Sequence, residues 1–128
     1  MKKILFLIVF VLSVSVTYGQ DISDVVIERN GTVTVKDASN NILFTGGWTS
    51  SWELCGFSNT IIVIKESNGV VYVRDRKFEV ISNKAINSDE KVKNVVGNNI
   101  IIKHNNGRVT TYNKNFNQIS DWNEWFFE

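Results

Sequence analysis

Three Asn-Gly pairs, Asn30-Gly31, Asn68-Gly69 and Asn106-Gly107, recur at a spacing of 38 residues, and their surroundings recur with them. Val25-Val26-Ile27-Glu28 precedes the first pair, Ile61-Ile62-Val63-Ile64-Lys65 the second and Ile100-Ile101-Ile102-Lys103 the third. A second β-rich segment follows each pair: Thr32–Lys36, Val70–Arg74 and Arg108–Tyr112. It ends at Asp37, Asp75 or Asn113, again at the same step. A short third segment then appears as Ile42-Leu43-Phe44, Val80-Ile81 or Gln118-Ile119. One period kept by four features marks an internal repeat, and this restricts the fold more than any other property of the chain.

β-Branched residues dominate each copy, so the copies predict strands. Asn-Gly predicts a two-residue type I′ hairpin, whose central residues both need positive φ. After the turn, Val33 and Val35, or Val71 and Val73, alternate with polar neighbours and give the strand one core-facing side. Before the turn, Ile61–Ile64 and Ile100–Ile102 are apolar at every position. A strand apolar on both faces requires cover on both faces. A fourth strand is predicted at Trp52–Phe57 and at Val92–Val96. The fold class is therefore all-β: three antiparallel meander repeats of four strands, in units of approximately 21–48, 49–86 and 87–128. The first unit has no room for its fourth strand, whereas the C-terminus carries a surplus, Trp122-Asn123-Glu124-Trp125-Phe126-Phe127. That imbalance predicts closure by strand exchange.

Ahead of the repeats, Lys2-Lys3 is followed by an apolar run from Ile4 to Val16 and by Thr17-Tyr18-Gly19. A basic start, an apolar centre and a small-x-small exit describe a secretory signal peptide, with cleavage expected after Gly19. The run is shorter than the roughly 20 residues that span a bilayer. The expectation is a secreted or periplasmic domain, 20–128, with no membrane span once the leader is removed. Its 12 basic and 13 acidic side chains offer no electrostatic footprint for nucleic acid. Cys55 is the only cysteine, so no intrachain disulfide can form.

The segments Ile61–Ser82 and Ile100–Ser120 resemble β-propeller blades in their order: apolar strand, Asn-Gly turn, V-x-V-x-Asp strand, short outer strand. The resemblance is generic and carries no WD dipeptide. Propellers use about four to eight blades, and three are present here. Two chains could each supply half of a six-bladed ring, which makes a homodimer one expectation. A pseudo-threefold β-trefoil or β-prism is the alternative. The mannose motif of bulb-lectin prisms, Q-x-D-x-N-x-V-x-Y, is matched only at Tyr112, so that sugar chemistry is not implied.

Catalytic chemistry finds few residues. His104 is the sole histidine, and Cys55 lies in a different strand. No nucleophile elbow, phosphate loop or metal-ligand spacing is present. The reading is no catalytic residue, no metal and no cofactor. Asp37 and Asp75 recur at one position and fit turn capping. The four tryptophans lie outside the hairpins, two after the first unit and two after the third. With neighbouring polar groups they give a candidate ligand-binding set: Trp48, Trp52, Tyr72, Arg74, Trp122 and Trp125. Aromatic side chains of this kind serve as protein hot spots or as stacking surfaces for sugars, and they also pack seams between units. The expected function is a non-enzymatic, exported binding module for a protein partner. The alternatives are a carbohydrate-binding module using exposed tryptophans, and an inhibitor or immunity protein against a toxin or enzyme.

Overall fold

The structure, a computed structural model, describes residues 21–123; the leader and Trp125 lie outside them. These residues form eleven strands and no helix: β1 (Asp24–Glu28), β2 (Thr32–Lys36), β3 (Ile42–Gly47), β4 (Glu53–Phe57), β5 (Ile62–Lys65), β6 (Val70–Arg74), β7 (Val80–Ala85), β8 (Glu90–Val96), β9 (Asn99–His104), β10 (Arg108–Asn113) and β11 (Gln118–Asn123). They make three antiparallel meanders, β1-β2-β3, β4-β5-β6-β7 and β8-β9-β10-β11.

The repeat extends to fine detail. A bulge interrupts the ladder at Val35/Lys36, Val73/Arg74 and Thr111/Tyr112, and another at Leu54/Gly56 and Val92/Asn94. The hairpins are not type I′. Gly31, Gly69 and Gly107 have φ near +80°, whereas the preceding asparagines are not in the positive-φ region. Each glycine N–H donates to a carbonyl three residues back (Gly31 to Glu28, 3.1 Å), which is a type I turn closed by a glycine bulge. The asparagine holds this turn through its side chain: Asn30 Oδ1 accepts from Thr32 N–H, Asn68 from Val70 and Asn106 from Arg108, at 3.0–3.1 Å.

A second loop is copied just as closely. Asp37 Oδ1 accepts from the N–H groups of Ser39 and Asn41, Asp75 Oδ1 from Lys77 and Glu79, and Asn113 Oδ1 from Asn115 and Asn117. The fourth loop residue is left-handed in every copy: Asn40, Phe78 and Phe116 have φ of 66°, 66° and 58°. The Asn41 N–H, helped by the Asn41 side chain and the Ser39 N–H, holds the Asp37 carboxyl below the usual carboxylate value of 3.8 despite the opposing effect of burial. A depressed folded pKa gives stability that is present above the unfolded pKa and lost as pH falls through the folded value. Asp37→Asn keeps the acceptor, as Asn113 does, but removes the charge. The variant is therefore expected to lose less stability than the parent between pH 4 and pH 2 in denaturant titrations; parallel curves would contradict this.

The sheets stack in sequence order. Ile62 and Ile64 of β5 pack on Val33 and Val35 of the first sheet. The other side of the middle sheet, with Ile61, Val63, Val71 and Val73, packs on Ile100 and Ile102 of the third. The apolar strand is thus covered on both faces, as its composition requires. Among the described residues, only the middle sheet has a neighbouring sheet on each face. The outward face of the first sheet carries Asp24, Glu28 and Lys36, where the equivalent face of the second has Ile62, Glu66 and Arg74.

The first sheet has three strands among the described residues, one fewer than the other two, as expected. One expectation is corrected. Trp122-Asn123 does not start an extra strand; it completes β11, with Trp122 opposite Val109 and Asn123 opposite Arg108. The six-residue β10 offers ladder bonds along its whole length, and a β-permissive tail takes them.

Candidate functional site

The seam between the first two sheets holds most of the candidate residues. Trp48 follows β3 and Trp52 precedes β4, and their rings meet edge to face with centroids 5.4 Å apart. Both are half-buried against the core and so are not the exposed platform expected of them. Tyr72 and Arg74 point to the same seam because they stand opposite Ile64 and Ile62. The Arg74 guanidinium lies 4.6 Å from the Phe78 ring centroid, 5.5 Å from Trp52 and 6.0 Å from Tyr72. Its Nη1 donates to the Phe78 carbonyl at 2.8 Å, and Glu66 approaches Nη2 at 3.8 Å. A guanidinium among aromatic faces is held in place by cation–π attraction.

The remaining tryptophans are elsewhere. Trp122 sits on β11 in the third sheet, 40% exposed, on the face opposite Ile100 and Ile102. Trp125 lies outside the described residues. The structure therefore gathers Trp48, Trp52, Tyr72 and Arg74, and leaves Trp122 apart.

A polar network in the third sheet was not foreseen. Glu90 Oε2 lies 3.6 Å from His104 Nδ1, and His104 Nε2 is 3.0 Å from Thr110 Oγ1. Thr110 Oγ1 reaches Asp121 at 3.3 Å, and Arg108 Nε donates to both Asp121 oxygens at 2.7 Å. The Arg108 bonds hold the Asp121 carboxyl below its usual range. These residues are far apart in sequence and meet only through the register: Glu90 faces His104, and Thr110 faces Asp121. Carboxylate, imidazole and hydroxyl in line look like a nucleophilic triad. Thr110 is 2% exposed, so its hydroxyl lies within the packed sheet. The arrangement satisfies buried polar groups.

A cleft of about 250 Å³ lies where β4 and β8 approach, lined by Glu53, Cys55, Lys65, Glu90 and Lys91 among others. Burial, aided by the Glu53 charge, pushes the Cys55 thiol up to about 11. At pH 8 roughly one such thiol in a thousand is ionised, and only the thiolate is the nucleophile. Native protein is expected to react with a disulfide reagent at least tenfold more slowly than the denaturant-unfolded chain; equal rates would contradict the burial.

No family model matches the chain, and no curated protein matches it. Among solved structures it is similar to BamB from Moraxella catarrhalis, a β-propeller, at TM-score 0.50 and 14% identity, covering 77% of this chain and 32% of that one. It is also similar to a protein of unknown function from Bacteroides caccae (TM-score 0.49, 10% identity, 76% of this chain and 38% of that one). A third similar structure is KlHsv2 with loop 6CD replaced by a Gly-Ser linker (0.49, 12%, 80% and 39%). The chain spans 32–39% of these structures' lengths. The likeness is one of fold: an all-β, propeller-like arrangement of three meanders.

Proposed function

We propose that this protein is an exported binding module without catalytic activity, acting through contact with another protein. One observation carries the reading: among the described residues, only the middle sheet of the stack has a neighbouring sheet packed on each face. Propeller-like sheets bury their faces against neighbours, so an arc of three presents surfaces that a ring would hide. Exposed apolar side chains add to this, with Ile42 on β3, Val80 on β7 and Ile119 on β11, all near the start of an outer strand. Non-catalytic action is supported by the burial of Thr110 and the inert thiol of Cys55. Export is supported by the leader-like sequence before Gln20.

Two measurements test the proposal. Mass spectrometry of protein recovered from a bacterial host should find a chain beginning at Gln20; an intact chain in the cytosol would remove export. Light scattering after size-exclusion chromatography should show a complex with a protein from the same compartment, whose interface cross-links map to the arc's ends or outer strands. Cross-links confined elsewhere, or turnover abolished by His104→Ala, would overturn the binding reading.

A further inference from the structure

The second and third sheets each have an inner strand, β4 or β8, beside the strand that precedes the hairpin; the first sheet has none among the described residues. This leaves β1 as an edge. Its free groups follow from the repeat. Glu66 N–H donates to Val70 O, so the backbones of Glu66, Ile64 and Ile62 face β6, and those of Lys65 and Val63 face β4. The equivalent residues in the first sheet are Ile27 and Val25. Their N–H and C=O groups point into the place where β4 and β8 have their counterparts. Ile27 is 38% exposed, and the half-buried Leu54 and Phe57 of β4 pack against the core cluster that contains Val25.

We infer that β1 is a docking edge for an extended, antiparallel segment of a partner protein, with basic ends and a small residue near its C-terminal end. This rests on the binding-module reading and names its site. The two inner strands already in the molecule specify the occupant. Both run antiparallel to their neighbour for four to six paired residues. Gly56 of β4 sits where a Cβ would come within 3.0 Å of Val95 on β8. Phe57 is the repeat equivalent of Val95, so the occupant needs glycine opposite Val25, where Phe57 would press on a Cβ. Its residues opposite Asp24 and Glu28 lie on the polar outward face, beside two exposed carboxylates. Lys36 across from Asp24 answers part of that charge. Lysine or arginine at both ends of the segment complements the rest. Main-chain bonds to a sheet edge give affinity, and alternate side chains give selectivity.

The probe is the capped, fluorescent peptide Lys-Ile-Val-Ser-Gly-Lys, added to the purified protein. Saturable binding is expected, with amide exchange at Val25 and Ile27 slowed at least tenfold. N-methylation of the peptide amides that face β1 should weaken binding at least tenfold, while N-methylation of the alternate set leaves it unchanged. Exchanging both lysines for glutamate should weaken it as strongly. The peptide variants leave the protein untouched, so a folding defect cannot imitate the result. Equal loss from both N-methyl sets, or unchanged exchange at Val25 and Ile27, overturns the inference. So does finding those amides protected before peptide is added: in a dimer a second copy occupies the edge, and in a monomer the chain itself does. A failed peptide with a partner complex still present removes this site alone; loss of both removes the binding reading too.

Discussion

Replacing Ile64 with alanine is expected to cost about 3–4 kcal/mol of folding stability, since truncating a buried isoleucine loses transfer energy and leaves a cavity. Ile64 has no exposed surface and faces Val33 and Val35 across the first seam. Its neighbour Val63 is equally buried but faces the third sheet. Damage to either therefore loosens a different seam. Ile42→Ala is the control, because Ile42 is 62% exposed; its effect is expected within about 0.5 kcal/mol. Urea denaturation monitored by tryptophan fluorescence would measure both. A loss under about 1 kcal/mol at Ile64 would mean that the seam is not closely packed.

Phe78 offers a second large effect with an unusual sign. Its ring stacks on Phe44 with centroids 5.0 Å apart, joining the first two sheets, and its backbone is left-handed. Phe78→Ala is expected to cost about 3 kcal/mol or more through lost burial. Alanine inherits the strained backbone, which costs a non-glycine residue about 1–2 kcal/mol. Phe78→Gly removes the same ring but relieves that strain. The glycine variant is thus expected to be the more stable of the two by about 1 kcal/mol. At an ordinary position the order would be reversed, because glycine loses more conformational entropy on folding than alanine does. If alanine proves the better replacement in equilibrium denaturation, the left-handed geometry at this site is not a constraint on stability.

The repeat made the all-β class and the meanders legible, because a strand's pairing with its neighbour is set by local pattern and turn. The doubly apolar run at Ile61–Ile64 also announced that sheets stack on both sides, whereas the run at Ile100–Ile102 has a described sheet on one side, where Ile100 and Ile102 pack. Turn type was harder to read. Asn-Gly is compatible with two hairpin geometries, and the choice rests on whether the asparagine side chain bonds onward to Thr32, Val70 or Arg108. The left-handed phenylalanines were hidden by their own chemistry, since an aromatic residue is a poor indicator of positive φ. Asn40, in the same slot of the first copy, was the available clue. The Glu90–His104–Thr110–Asp121 network could not be seen without the cross-strand register. The tryptophans were visible as pairs, but whether Trp48 and Trp52 face solvent or seam depends on sheet packing, which a linear pattern does not carry.

Among the described residues, every ladder joins strands adjacent along the chain; none links β3 to β4 or β7 to β8. No strand must await a distant segment to complete its backbone bonds. Each meander can therefore zip from its own hairpins, with loops of a few residues to close, before the seams dry and lock. Such local closure favours fast assembly. A polypeptide built this way can gain order progressively, one sheet at a time, from whichever end first becomes free to fold.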